Sequence, residues 1–177
     1  MNLIGEIALK IPSLGRYKRF LKALYDSVMP VKSYSQHGED LFIKDYLSKY
    51  NSEDGIYIDV GANHPTSISN TYLLYRNGFT GILIEPNPEL AKLQKLFRVR
   101  DKVFDIGIDN KHGLFEMNIS KTPVLSSFNQ IDKRLFWKKK SVPVLKLDDV
   151  FSFINPTKVL FLSIDTEGLN YNVIMRI

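Results

Sequence analysis

The stretch GIYIDVGANHPTSISNTYLLYRNGFTGILIEPNP, Gly55 to Pro88, decides how the rest of the chain is read. Ile56 to Asp59 is a short apolar run that ends on an acid, which predicts a buried strand. Gly61 and Ala62 follow, small enough for the backbone to approach a ligand closely. Ser69 to Asn77 has helical spacing and stops at Gly78, and Gly81 to Ile84 is a second apolar run that ends in Glu85. The helical segment after Pro65 would aim backbone N–H groups at the same place as the glycine turn.

Strand, loop, helix and strand in this order predict the cofactor-binding unit of a Rossmann-like α/β domain. Glu85 lies twenty-six residues beyond Asp59, where an acid at a strand end can accept both hydroxyls of a ribose. The dinucleotide fingerprint asks for three glycines, and this loop has Asn63 and Pro65 where further glycines would stand, so a pyrophosphate cradle is disfavoured. S-adenosylmethionine has no pyrophosphate. The unit by itself leaves both that cofactor and NAD open.

Outward from this unit, apolar runs alternate with helical stretches, the pattern of a parallel sheet with crossover helices. Further strands are expected at Lys102 to Asp105 and Val159 to Ile164, and helices at Ser35 to Lys49, Pro88 to Arg98 and Asp148 to Ile154. Leu114 to Ile119 and Val142 to Leu147 read as a strand pair around a long loop. Residues 1–32 read as an amphipathic helical extension. Leu3, Ile4, Ile7 and Ile11 recur at helical spacing, as do Phe20, Leu21, Leu24 and Val28 after Pro12 and Gly15 interrupt. Its apolar side is expected on the domain or on a membrane surface.

The chain has 177 residues, 44% of them hydrophobic and 24% charged, which suits one globular domain, here residues 33–177. No segment has the length of apolar sequence a membrane span needs and no export signal is visible, which points to the cytoplasm. The absence of cysteine excludes disulfides and thiolate chemistry, and three scattered histidines speak against a histidine zinc site. The net charge of +5 is concentrated in residues 1–22 and 132–140, each +4, so the remainder is acidic. That distribution argues against a nucleic-acid binder. The two basic runs read as a solvated face and a solvated loop, with contact to an anionic membrane surface or a phosphorylated substrate as the alternative.

The segments YSQHGEDLFI (Tyr34–Ile43), YIDVGANHPTSISNTYLLYRNGFTGILIEPNP (Tyr57–Pro88), SSF (Ser126–Phe128), VPVLKLDDV (Val142–Val150) and LSIDTEG (Leu162–Gly168) together resemble the FkbM family of S-adenosylmethionine-dependent methyltransferases. The resemblance covers residues 33 to 175 and implies a class I methyltransferase fold that methylates a hydroxyl of a sugar, glycan precursor or related metabolite. Carried over by position, it implies that Asp59, Gly61 and Asn63 hold the methionine part of the cofactor. Glu85 would hold the ribose, and Asp105 to Ile108, with Gly107 among them, would pass the adenine. Gln36 and Glu39 would close the pocket, and Asp165 and Glu167 would stand beside the transferred methyl. Asp165 is the first candidate to orient the acceptor hydroxyl and take its proton, with Glu167, His37 and His64 behind it. No metal is implied.

A class I sheet has seven strands, and four are visible before Ile177. The expected sheet is therefore truncated after its fourth core strand, with an unpaired edge prone to self-association. The alternative to a working methyltransferase is a cofactor-binding remnant or half of a split enzyme. An NAD-dependent oxidoreductase is a third reading.

Overall fold

A computed structural model describes residues 12–29, 31–122, 125–129 and 132–166. Glu167, Gly168 and the helix expected over Tyr171 to Ile177 lie outside the described residues.

The centre is a four-stranded, all-parallel sheet. Strand β1 (Ile56–Val60) lies between β2 (Gly81–Ile84) and β7 (Val159–Ile164), and β2 pairs on its far side with β3 (Lys102–Phe104). The run Ile-Tyr-Ile-Asp-Val is apolar on both sides because both faces of a parallel strand are covered. Ile58 and Val60 meet Ile82, Ile84, Ile108, Leu147 and Val150 on one face. Tyr57 meets Tyr72, Leu74 and Leu83 on the other. Gly81 stands opposite Tyr57 because a Cβ there would fall 2.2 Å from the tyrosine ring.

The described residues form five helices: α1 (Pro12–Val28), α2 (Glu39–Leu47), α3 (Tyr72–Arg76), α4 (Pro88–Phe97) and α5 (Leu147–Ile154). Helix α4 begins as its sequence predicts: Pro88 occupies the first turn, and the Asn87 side chain accepts the Glu89 N–H at 3.0 Å. Three helices depart from expectation. Helix α1 runs without a break from Pro12 through Gly15, where the sequence predicts an interruption. Helix α2 starts at Glu39 rather than Ser35, because residues 33 to 38 wrap around the buried Asp40 carboxylate. That carboxylate accepts Ser33 Oγ at 2.6 Å, Ser35 Oγ at 2.9 Å and the Tyr34 N–H at 2.7 Å. Helix α3 starts at Tyr72 rather than Ser69, because Ile68 has φ 55° and the Ser69 hydroxyl accepts the Tyr72 N–H.

A second, three-stranded sheet pairs β6 (Phe136–Leu145) antiparallel with β5 (Gly113–Ser120) and parallel with β4 (Gly107–Ile108). Strand β6 starts six residues before the expected Val142. Lys138, Lys139 and Lys140 therefore lie in a paired strand and not in a loop. They alternate across an exposed stretch, where lysine ends reach solvent while the backbone stays in the ladder.

Candidate active site

In an open parallel sheet, ligands collect beyond the carboxyl ends of the strands where the connections diverge to the two sides. Here that point lies between β1, whose successors step away through β2 and β3, and β7 on its other side. A cleft opens there, and its walls include Gly61, Asn63, Glu85, Gly107, Phe128 and Asp165. Gly61 leaves β1 with φ 80°, a left-handed conformation, and a Cβ on it would meet the carbonyl oxygen of Asp165 at 1.9 Å. The Asp165 N–H in turn donates to the carbonyl of Val60 at 2.8 Å. The two strand ends are thus clamped together.

Glu85 forms the floor. It is 4% exposed, and its two oxygens accept the backbone N–H groups of Asn63 at 2.8 Å and Asn87 at 2.7 Å. Each oxygen keeps a second acceptor site. Burial pushes the carboxyl up from 4.5 to about 7, although the two N–H groups pull the other way; the neighbouring Asp59 adds to the rise. Asn63 sits above it with φ 53°, and its carbonyl accepts Gln94 Nε2 at 2.7 Å. Its side-chain oxygen is buried and has no hydrogen-bond partner, an acceptor left waiting for a donor. Ser126 joins the far wall to this floor. Its hydroxyl accepts the Ser120 N–H at 2.9 Å and the Asn87 side-chain amide at 3.3 Å. Phe128 lies over Gly107, where a Cβ would fall 2.8 Å from the ring. Two carboxylates, Glu85 and Asp165, line the cleft, and among the described residues no lysine or arginine does.

The cleft gathers Gly61, Asn63, Glu85, Gly107 and Asp165 from the residues singled out in the sequence. Four others lie elsewhere. Asp59 alternates to the opposite face of β1, where its carboxylate accepts Thr71 Oγ1 at 2.7 Å; burial raises it, against the pull of Thr71, Arg98 and Ser163. Asp105 is exposed and paired with Lys95 at 3.0 Å, while Ile106, Gly107 and Ile108 after it line the cleft. Gln36 and Glu39 are exposed at the start of α2 and do not line it; Glu39 accepts the His37 N–H at 2.9 Å. Glu167 is outside the described residues. His64 is buried. Its Nδ1 accepts the Ser67 N–H and hydroxyl at 3.2 and 3.0 Å, so its proton sits on Nε2 and faces the carbonyl of Arg19 at 3.2 Å. That partnership ties the loop to α1 and takes His64 out of contention as a base.

Asn87, Gln94, Met117 and the Ser126 hydroxyl were not foreseen as parts of the site. An asparagine directly before Pro88 is a local signal that could have pointed to Asn87, but nothing local marks Gln94, whose target is a loop thirty-one positions away. Among the described residues no group of three or more histidines, aspartates or glutamates could hold a metal ion.

The Methyltransferase FkbM domain matches the chain over residues 59–176. No curated protein and no solved structure gives a match. The matched region runs from the end of β1 through β7 and includes the clamped glycine turn and the buried Glu85. The chain is a member of the FkbM methyltransferase family.

Proposed function

We propose that the protein is an S-adenosylmethionine-dependent O-methyltransferase with a Rossmann-like core, acting on a hydroxyl of a sugar, glycan precursor or related metabolite. The observation that carries this is the charge of the cleft, two carboxylates and no cation among its described walls. A pyrophosphate would face the acids Glu85 and Asp165 with no compensating cation, whereas the positive charges of a sulfonium and an ammonium are not opposed there. The residues present fit the cofactor. The free acceptor sites on Glu85 suit two vicinal ribose hydroxyls, and the unpartnered Asn63 side-chain oxygen suits an ammonium N–H. Ile106, Ile108, Met117 and Phe128 offer apolar surface for a purine.

When bound, the cofactor would supply an electrophilic methyl on a positively charged sulfur. The chain must then align an acceptor oxygen in line with it and dispose of one proton. Asp165 is exposed at the end of β7, its backbone held against Gly61 and Val60. Its carboxylate is the group that would orient the acceptor hydroxyl and take its proton as the methyl leaves sulfur for oxygen. The closed approach of Gly61 keeps that residue fixed relative to Glu85.

Calorimetry with S-adenosylhomocysteine tests the reading. The full chain binds it, Glu85→Ala weakens binding by about tenfold or more, and Asp165→Asn leaves binding intact while lowering methyl transfer by roughly 10²-fold or more. Tighter binding of NADH than of S-adenosylhomocysteine overturns it.

A further inference from the structure

Helix α1 docks through Ala23, Asp26 and Phe20, whose ring meets Phe97 edge-on at 5.5 Å between centroids. Ala23 and Asp26 face the domain at 0% and 1% exposure; Asp26 accepts Thr66 Oγ1 at 2.9 Å, and Arg76 donates to the carbonyls of Asp26 and Ser27. The apolar side faces outward. Tyr17, Leu21, Leu24 and Val28 form one stripe at helical spacing and are 59%, 42%, 45% and 70% exposed, with Tyr25 beside them at 55%. A soluble helix normally presents the opposite arrangement.

Both flanks of the stripe are basic. On one side Arg16 and Arg19 join Lys92, Lys138 and Lys140 along a groove shared with α4, where Glu89 is the lone acid and is paired with Arg19 and Lys138. On the other side lies Lys22, about half-exposed, its ammonium paired with Asp26. Asp26 is the only acid of the described helix and it is buried. Lysine is depleted from protein–protein interfaces, and here it borders an apolar stripe, where its long stem can lie along acyl chains while the ammonium reaches a phosphate. Among the described residues no helix is long and apolar enough to cross a membrane.

We propose that α1 is a monotopic anchor that lies in the surface of an anionic lipid bilayer, its outward stripe in the acyl boundary and the flanking cations among the headgroups. The cleft is not needed for this, so the inference stands apart from the cofactor reading.

Sedimentation of the full chain with vesicles tests it. The chain co-sediments with phosphatidylcholine vesicles that contain phosphatidylglycerol and stays free with phosphatidylcholine alone. Leu24→Glu and Val28→Glu, both at exposed positions, each weaken binding by about tenfold or more with an unchanged melting temperature. Lys138→Glu and Lys140→Glu each weaken it by about fivefold at low salt. Absence of binding to the anionic vesicles at low salt overturns the proposal. So does binding that ignores the stripe substitutions, or a dimer in solution that those substitutions dissolve, which would assign the face to a second copy.

Discussion

The Cβ that Gly61 lacks would lie 1.9 Å from the carbonyl oxygen of Asp165. Alanine there must both adopt φ near 80° and push β7 away from β1, so Gly61→Ala is expected to cost about 2 kcal/mol or more and to abolish S-adenosylhomocysteine binding. Urea titration gives the first number and calorimetry the second; a variant of native stability would contradict the clamp. At this scale the sequence was informative where a residue's role is local. Gly61, Asn63 and Glu85 are linked by one turn and one strand pairing, and their positions follow from the spacing of Ile56 to Glu85. Asp59 shows the limit. An acid at the end of a strand next to a glycine turn reads as a ligand contact, but the two-residue alternation of β1 carries it to the face opposite Ile58 and Val60. There it accepts from Thr71.

Strands and helices are held in place by a buried network that periodicity does not display. Arg98 is 1% exposed at the end of α4. Its guanidinium donates to Asp101, the Pro65 carbonyl, the Tyr57 hydroxyl and Thr71 at 2.8 to 3.1 Å. Asp101 also accepts the Tyr57 hydroxyl and the Gly81 N–H. One side chain therefore joins α4, β1, β2 and the start of α3. Arg98→Leu leaves Asp101 and Asp59 without their cation and is expected to destabilise by about 3–5 kcal/mol in urea denaturation. Arg98→Lys should recover only part, since an ammonium cannot reproduce the fork. A loss below about 1 kcal/mol for the leucine variant would show the network to be dispensable. The strands β1, β2 and β7 were legible because apolar runs bounded by turns leave few readings. The starts of α2 and β6 were not: Asp40 gathers three donors from the preceding residues, and the lysines of β6 look like loop until β5 is seen beside them.

For the whole molecule, two buried groups bend stability with pH in opposite directions. Glu85 rises from 4.5 to about 7, so between these values the native state holds a proton that the unfolded chain has released, and stability falls as pH increases. His64 is lowered from 6.5 to about 4 by burial, so stability falls as pH drops through that window. Each slope is at most about 1.4 kcal/mol per pH unit, and they oppose each other across the acidic range. Burial also raises Asp59 and Asp101, so the effects appear as differences from the parent chain. Relative to that parent, Glu85→Gln gains stability as pH rises from about 4.5 to about 7, and His64→Gln loses it from about 4 to about 6.5. Melting temperatures at a series of pH values measure both; parallel curves for parent and variants would refute the assignment.

Trp137 is the only tryptophan. It packs against the cluster of Met117, Ile119 and Val142 beside Phe128, and Met117 and Phe128 also line the cleft. Its ring lies 3.7 Å from Lys138 Nζ and 5.9 Å from the guanidinium carbon of Arg16 on α1. A single native indole therefore stands between the wall of the cleft and the helix at the surface. Its emission offers an unlabelled optical signal for events on either side, with a nucleoside titration and a vesicle titration distinguished by which one shifts it.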